Sequence, residues 1–321
     1  MNVVLQIMIN TEPIVKYYET SQIKKYINIY NNNGSKGKMS AAFSAYANCY
    51  KSEKYSVLNM EAFLNFMSEH IHKNYDGLSP NDSCSFQSNL ILILSQDVNQ
   101  VSSPRPIFQN YTDNNINENS SDYFAQRRQV FSSFIKDIFS NILVYRIACN
   151  NCKVNWTLFE DNCFLPILLH KAELNPSFND CLSIKFNKEY NRNDLHCQHC
   201  NSNNLSVIEK IWKLPEIVII KLDRPKAEVK DTRNVNLIEN FDFSQYMHER
   251  SNYYQTNYNL YAMVIHIGSL EHGHYVAVLK QSNKWLLYND DERRTEINIH
   301  DPSFLNNGEI ITMLYYKRET Y

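Results

Sequence analysis

The sequence predicts an α+β fold, in which a helical first part is followed by a part rich in β-strands. In the first part apolar residues recur at helical spacing, whereas after Ile142 short alternating or β-branched runs follow one another. A chain that forms helices first and strands afterwards is typical of α+β proteins. We find no internal repeat. With 321 residues, 43% of them hydrophobic, the chain suits one large domain or two ordinary ones.

Five segments have the apolar stripe of a helix, and polar stretches separate them. Pro13 ends or kinks the first segment, and Asn81 or Asp82 is expected to be the N-cap of the fourth. The polar stretch 100–122 holds two prolines and is expected to be a loop or a linker. The predicted helical segments are 1–20, 39–50, 59–73, 81–99 and 126–141.

Strands are predicted in the second part, where the runs are short and rich in β-branched residues. The run 216–222 reads EIVIIKL and is apolar almost throughout. Two further strands are predicted at 260–267 and 274–280.

Composition and charge exclude several classes of function. The formal net charge of −2, with Lys and Arg spread along the chain, gives no general attraction to nucleic acid or to an anionic membrane. No apolar run reaches membrane-spanning length, and the segment 1–9 lacks the basic leader of a secretory signal. Eight cysteines, four of them in two CxxC pairs, fit an intracellular metal site better than a disulfide framework. We therefore expect a cytoplasmic or nuclear protein with no nucleic-acid or membrane partner.

The two CxxC pairs predict a zinc site. Cys149 and Cys152 lie in RIACNNCK, Cys197 and Cys200 lie in LHCQHCNS, and 44 residues separate the pairs. A CxxC on a tight turn brings two thiolates together, and two such turns complete a tetrahedral site of four sulfurs. The separation is longer than in a common zinc ribbon. Two alternatives therefore stay open, namely thiols without a metal, and a neighbouring histidine, His196 or His199, as a substitute ligand.

A second constellation lies near the C-terminus, in GSLEHGHYVAVLK and WLLYNDDE. Gly268 and Gly273 frame a loop in a chain with only six glycines, and an apolar strand follows that would hold His274 rigidly. Asn289 comes fifteen positions later, at the end of the next short strand. Neighbouring antiparallel strands would set the imidazole against an Asn or Asp side chain, which is the base and its orienting partner in a cysteine protease. Taken alone, a histidine on a strand is more often structural.

At this point the motifs resemble those of the ubiquitin-specific protease family, the papain-like deubiquitinases. MNVVLQIMINTEPIVKYY resembles the family's N-terminal cysteine box from its Met-Asn onward, and NDSCSF resembles the box Gln-Gln-Asp-Ala-x-Glu-Phe. IWKLPEIVIIKLDR resembles a strand segment of the family, and the two C-terminal motifs resemble its His box and its closing Asp/Asn box. The resemblance covers nearly the whole chain in the family's order.

The resemblance implies a papain-like fold with a helical thumb, a β-rich palm and zinc-binding β fingers. It places the thumb at about 1–125, the fingers at about 142–215, and the palm at about 126–141 and 216–321. The implied partner is ubiquitin or a ubiquitinated protein, and the implied cofactor is a structural zinc ion.

The resemblance also implies roles for single residues. His274 corresponds to the general base and acid, Asn289 to the third member of the triad, and Asp290 to the acid that follows it. The implied substrate-binding residues are Asp82, which meets the basic tail of ubiquitin, and Gly273 and Tyr275 beside the tail groove. The implied zinc ligands are Cys149, Cys152, Cys197 and Cys200.

The main departure concerns the nucleophile. Met1-Asn2 matches the Met-Asn of the family's Asn-x-Cys-Tyr-Met-Asn-Ser box, so the nucleophilic cysteine is expected two residues before Met1. Cys49 in ANCYKS resembles the box superficially but lies too close to Asp82, and Cys84 lies inside the helix box. Two milder departures are Ser85 in place of a Glu and His272 in place of a Gly.

Three functional hypotheses follow. The first is an active deubiquitinase whose nucleophile lies upstream of Met1, which hydrolyses the bond after the C-terminal glycine of ubiquitin. The second is an inactive relative that binds ubiquitin or acts as a scaffold. The third is a metal-stabilised domain unrelated to ubiquitin.

Overall fold

The structure is a computed structural model. It describes residues 1–319 except for 20, 53, 55–60, 78–80, 110, 113–114, 170–175, 193, 225–229, 270–271, 291, 293, 302 and 307. Helices and strands are segregated along the chain, which confirms the predicted α+β class.

Eight α-helices lie in the described residues, seven of them before the first long strand. They are α1 (Asn2–Met8), α2 (Glu12–Tyr18), α3 (Lys38–Lys51), α4 (Glu61–His70), α5 (Ser83–Asp97), α6 (Ile116–Arg128), α7 (Phe134–Phe139) and α8 (Phe178–Asn187). Short 3-10 helices span Ser21–Lys25 and Ser244–Tyr246. The predicted start of the third helical segment, at 59–60, lies outside the described residues.

Local sequence explains where several helices begin. Pro13 lies in the first turn of α2, where its missing N–H removes no helical hydrogen bond, so the predicted helix 1–20 is divided in two. The Asp82 side chain accepts a hydrogen bond of 2.7 Å from the Ser85 N–H and caps α5. In the same way the Ser177 hydroxyl caps α8.

Twelve strands in the described residues form two sheets. They are β1 (Tyr111–Thr112), β2 (Asn141–Cys149), β3 (Asn155–Asn162), β4 (Leu165–Leu168), β5 (Leu205–Lys213), β6 (Ile217–Asp223), β7 (Asn240–Asp242), β8 (Asn257–Gly268), β9 (Gly273–Gln281), β10 (Lys284–Tyr288), β11 (Thr295–Ile297) and β12 (Ile310–Arg318). The smaller sheet has the order β1-β3-β2-β5. The larger has the order β11-β10-β9-β8-β12-β6-β4, with β7 beside β8. Among these twelve described strands, every pairing is antiparallel except that of β4 with β6.

The larger sheet is covered on both faces, which explains why its central strands are almost continuously apolar. On β6, Ile217 and Ile219 pack into the core shared with α1, α2, α3 and α5. Val218 and Ile220 point the other way, into the core shared with α8 and the smaller sheet. The sheet therefore separates a helical half of the molecule from a β-rich half.

The smaller sheet extends from the larger one and carries the cysteine pairs at one end. Its outer face is covered by α6, where Tyr123 stacks on Phe159 at 5.3 Å between ring centroids. Cys149 is the last residue of β2, and Cys200 precedes β5 by a short turn. The two CxxC turns therefore meet at the tip of the sheet.

Two expectations about secondary structure were wrong. The stretch 100–122 is not only a loop, because it contains β1 and the first half of α6. Nor is the region after Ile142 made of strands alone, because α8 lies within it. The amphipathic signal of α6 is weak, since few of its residues reach the core, and tertiary packing stabilises it.

The structure also bears on the question of membrane insertion. Among the described residues, no helix combines the length and the apolar character that crossing a membrane would require.

The boundaries given above for the thumb, the fingers and the palm stay predictions.

Candidate active site and metal centre

The hairpin of β8 and β9 positions His274. Ile267 lies opposite His274 in the ladder, and Gly268 lies opposite Gly273. Gly268 has φ +102°, a conformation that residues with a Cβ rarely adopt. A Cβ on Gly273 would lie 2.0 Å from His266 Nε2, so only glycine fits there. The two glycines noted in the sequence therefore have distinct steric causes.

His274 meets Asn289 as the spacing predicts. The strands β9 and β10 are paired up to Ala277 and Tyr288, so Asn289 leaves β10 beside the start of β9. His274 Nε2 lies 2.6 Å from Asn289 Oδ1. The histidine is half exposed, which leaves the other edge of its ring open to a reactant.

The hydrogen bonds around Asn289 determine which imidazole nitrogen carries the proton. Asn289 Nδ2 donates to Glu292 Oε2 at 2.8 Å, so its Oδ1 faces the histidine. Because Oδ1 can only accept, Nε2 of His274 carries hydrogen and Nδ1 keeps the free lone pair. The sequence reasoning missed Glu292, whose only signal was an acid three residues after Asn289.

Asp290 connects this pair to the start of the chain. It adopts φ +46°, which Asp tolerates better than most residues, and its Oδ2 lies 3.7 Å from His274 Nε2. Its Oδ1 accepts a hydrogen bond of 2.8 Å from Asn2 Nδ2, and its carbonyl accepts one of 3.3 Å from Gln6. The sequence reasoning did not identify these contacts of Asn2 and Gln6.

The N-terminal end of α1 therefore lies at the candidate site. Asn2 and Gln6 of α1 both donate to Asp290, and Met1, the N-cap of α1, packs against the core on the helical side of the larger sheet.

Asp82 and Tyr275 lie on the other side of the site. Asp82 is engaged by α5, since it accepts hydrogen bonds from both the N–H and the hydroxyl of Ser85. Burial, and next the charge of Asp82, raise the pKa of Tyr275 to about 12. The Tyr275 ring packs on His266 with 4.7 Å between centroids. Ser85, a departure from the family pattern, therefore strengthens the helix cap instead of adding a charge.

A cavity of about 580 Å³ runs along α5 from Asp82. Cys84 faces it, and burial raises the pKa of this thiol to about 12, so it is a poor source of thiolate. Other side chains that line the cavity are Ser88, Leu92, Lys136, Asp161, Cys163, Phe164, Lys221 and Asp223.

The four predicted zinc ligands come together at the tip of the smaller sheet. Their sulfur atoms all lie within 4.8 Å of one another, and Cys149–Cys200 and Cys152–Cys197 are each 3.5 Å apart. Four sulfurs on a zinc ion at about 2.3 Å would be about 3.8 Å apart, so the donor set fits the metal.

Backbone N–H groups favour the thiolate form at one member of the cluster, Cys149. The backbone N–H groups of Cys152 and Asn151 donate to the sulfur of Cys149 and lower its pKa to about 6. In the part of the chain that the structure describes, neither His196 nor His199 joins the group. The alternative of a histidine ligand therefore finds no support.

Comparison with known proteins gives one family. The family model described as ubiquitin carboxyl-terminal hydrolase matches residues 1–311. Ubiquitin carboxyl-terminal hydrolase 4 of Arabidopsis thaliana is 30% identical over 166 residues, 50% of this chain and 45% of that protein. Probable ubiquitin carboxyl-terminal hydrolase creB of Neosartorya fischeri is 25% identical over 285 residues, 81% of this chain and 36% of that protein. The chain thus spans less than half the length of these curated relatives.

Solved structures show the same fold. A chain of the yeast SAGA DUBm has a TM-score of 0.70 at 17% identity, covering 100% of this chain and 66% of that one. A chain of the SAGA Ubp8/Sgf11/Sus1/Sgf73 DUB module bound to ubiquitin aldehyde has a TM-score of 0.69 at 19% identity, covering 100% and 67%. At these identities the likeness shows the fold and not the activity.

Proposed function

The chain belongs to the ubiquitin carboxyl-terminal hydrolase family, and on that premise we propose that it is the larger part of a thiol-dependent deubiquitinase domain. The reaction is hydrolysis of the isopeptide or peptide bond after the C-terminal glycine of ubiquitin. The nucleophile is a cysteine two residues before Met1. The observation that carries the proposal is the 2.6 Å contact between His274 Nε2 and Asn289 Oδ1 beside the start of α1.

The geometry assigns each residue of this pair a step. With its Nε2–H held by Asn289, His274 presents Nδ1 as the base that takes the thiol proton. The thiolate attacks the carbonyl carbon, and the imidazolium then gives its proton to the departing amine as the C–N bond breaks. Water next attacks the thioester with His274 again acting as base, which releases the ubiquitin carboxylate and regenerates the thiol. Asp290, 3.7 Å from Nε2, stabilises the imidazolium.

Of the proposed substrate-binding residues, Asp82 lines the cavity beside α5, and Gly273 and Tyr275 lie on β9 on either side of His274. Asp82 supplies negative charge toward the basic tail of ubiquitin, and Gly273 leaves the backbone of the His274 strand free of a side chain. Tyr275 is neutral at physiological pH, and burial raises its pKa further, to about 12. An acid at Asp82 and a strand without a side chain at Gly273 suit a tail of arginines and glycines.

The cofactor is a structural zinc ion held by Cys149, Cys152, Cys197 and Cys200. The sulfur cluster supports this assignment. Zinc bound there would join the two CxxC turns and would take no part in the hydrolysis.

We also propose that the protein acts in the cytoplasm or the nucleus.

Hydrolysis of ubiquitin that carries a fluorogenic amide at its C-terminal glycine tests the proposal. The chain is extended so that a cysteine stands two residues before Met1. We expect turnover by the extended chain, a loss of about a thousandfold or more in His274→Ala, which removes the base, and a smaller loss in Asn289→Ala. The control is His300→Ala, which replaces an exposed histidine that pairs with Glu239. Turnover that survives His274→Ala would contradict the assignment.

A second candidate function is ubiquitin binding without catalysis. It applies if the whole protein has no cysteine beside His274, since no thiol of the described residues forms a hydrogen bond with that histidine. Titration calorimetry with ubiquitin and the 321-residue chain separates the two candidates. Binding together with an inactive extended chain supports the second candidate, whereas turnover by the extended chain supports the first.

A further inference from the structure

A cavity of about 720 Å³ lies far from the candidate active site. It is bounded by the second half of α6, the segment before α7, the end of β5, and the loop that precedes β8. Side chains that line it include Phe124, Arg127, Arg128, Asp137, Lys213 and Tyr253.

The topology places this cavity at the opposite end of β8 from His274. Tyr253 comes just before β8 begins at Asn257, whereas His274 lies opposite Ile267 near its other end. At about 3.3 Å per residue, the two ends are roughly 30 Å apart along the strand. The cavity is therefore separate from the His274 site.

Positive charge dominates the lining of this cavity, because three cations, Arg127, Arg128 and Lys213, stand against one carboxylate, Asp137. Asp161 and Lys136 lie next to the cavity and do not line it. Asp161 accepts from Arg127 Nε at 2.6 Å and lies 3.3 Å from Lys136 Nζ. Asp137 lies 3.5 Å from the same Arg127. These two carboxylates therefore balance the two buried cations and leave none for the remaining basic residues.

Lys213 and Arg128 are the remaining cations. Lys213 Nζ lies between two aromatic rings, 5.8 Å from the centroid of Phe124 and 5.3 Å from that of Tyr253. In the part of the chain that the structure describes, neither Lys213 nor Arg128 forms an ion pair with a carboxylate. Burial lowers the pKa of Lys213, and Asp137 only partly offsets this. A partly desolvated ammonium without a counter-ion is stabilised when an anion binds.

We propose that this cavity is a docking site for an acidic, aromatic-containing segment of a partner protein. Carboxylates of the segment pair with Lys213 and Arg128, and an aromatic side chain packs on the cavity side of Phe124 and Tyr253, whose rings contact each other at 6.2 Å between centroids. A single concavity with two free cations suits a short peptide, whereas a nucleic acid backbone needs a basic stripe, and the chain has a net charge of −2.

Fluorescence anisotropy at low ionic strength tests this inference. The probe is a short fluorescein-labelled peptide that alternates glutamate with phenylalanine, titrated with the 321-residue chain. We expect saturable binding that weakens with salt, and roughly tenfold or greater loss of affinity in the double variant Arg128→Gln/Lys213→Met. The matched control Arg105→Gln/Lys284→Met removes two charges from exposed positions elsewhere and is expected to bind like the parent.

The outcomes that overturn the proposal are specific. They are no saturable binding, equal loss in the control variant, or binding of a single-stranded oligonucleotide in place of the peptide. Titration of ubiquitin into the double variant is expected to give the parent's affinity, and a loss there would show that the cavity belongs to the ubiquitin surface. If the double variant does not fold, the exposed Arg128→Gln alone decides, with an expected loss of about threefold.

Discussion

The amide of Asn289 is held from both sides, by His274 at its oxygen and by Glu292 at its nitrogen. An amide can be turned over at little cost unless its environment distinguishes oxygen from nitrogen. The Glu292 carboxylate makes this distinction, because it can only accept a hydrogen bond. A residue that the sequence reasoning did not single out thus orients a candidate catalytic residue and selects the tautomer of His274.

This role predicts the effect of removing the Glu292 carboxylate. In Glu292→Ala the amide is free to turn over, so we expect the Nε2–H form of His274 to give way to a mixture of tautomers. Nitrogen-15 spectroscopy of the imidazole measures the tautomer directly, and kcat of the extended chain should fall by about tenfold at most, since one net hydrogen bond is lost. Glu296→Gln, on the neighbouring β11, is the control. An unchanged tautomer in Glu292→Ala would rule out the positioning role.

At the scale of elements, the carboxylate of Asp161 links two helices, α6 and α7, to the smaller sheet. Asp161 of β3 accepts from Arg127 of α6 and from Lys136 of α7. Burial by itself would raise the pKa of Asp161, but the charges of Arg127 and Lys136 outweigh it and lower the pKa below its ordinary value. The packing of α6 and α7 onto the smaller sheet therefore depends on the ionised form of Asp161.

The sign of this shift predicts how stability changes with pH. Because the pKa is lower in the folded state, the contribution of Asp161 is complete above its ordinary value near 4 and is lost as the pH falls through the folded value. Asp161→Asn leaves Lys136 without its carboxylate and leaves Arg127 with only the exposed Asp137 at 3.5 Å, so we expect it to cost about 3–5 kcal/mol at neutral pH. Urea unfolding between neutral and acid pH measures both effects. The variant should lose less stability on acidification than the parent, and a parallel decline would contradict the assignment. Asp301→Asn is the control at an exposed site.

At the scale of the whole molecule, the zinc-ligand cluster lies at the tip of the smaller sheet, at the edge of the core shared with α8. Cys149 and Cys197 are buried in that core, whereas Cys200 is exposed. Strand tips with few buried apolar side chains open easily unless a metal or a disulfide joins them.

Metal removal is therefore expected to open this tip first. Mass spectrometry of the metal should give one zinc per chain in the parent and none in Cys197→Ser, whereas Cys49→Ser, in α3, keeps its zinc. A strong chelator should lower Tm and expose the amides of 149–152 and 197–205 to hydrogen exchange before those of β8. Equal zinc content in the two variants would refute the predicted ligand set.

Features that depend on local pattern could be predicted from the sequence. Apolar runs that suit a sheet buried on both faces predicted β6, β8 and β9. Two polar residues before an apolar helix predicted a cap at Asn81 or Asp82, and the structure has it at Asp82. Two CxxC turns predicted the sulfur cluster, and a histidine and an asparagine on successive strands predicted a pair that the structure brings to 2.6 Å. The catalytic and substrate-binding roles of these residues stay predictions.

Tertiary structure alone decided the features that depend on partners distant in the chain. Helix α6 has a weak amphipathic pattern and is stabilised by burial against β3 and β5, which no local signal reports. Asn2 meets Asp290 across 288 positions, and Lys213 lies between rings from two separate segments. Such contacts arise because the sheet order brings remote segments together, and the free energy that stabilises them comes from packing and charge pairing that exist only in the folded chain.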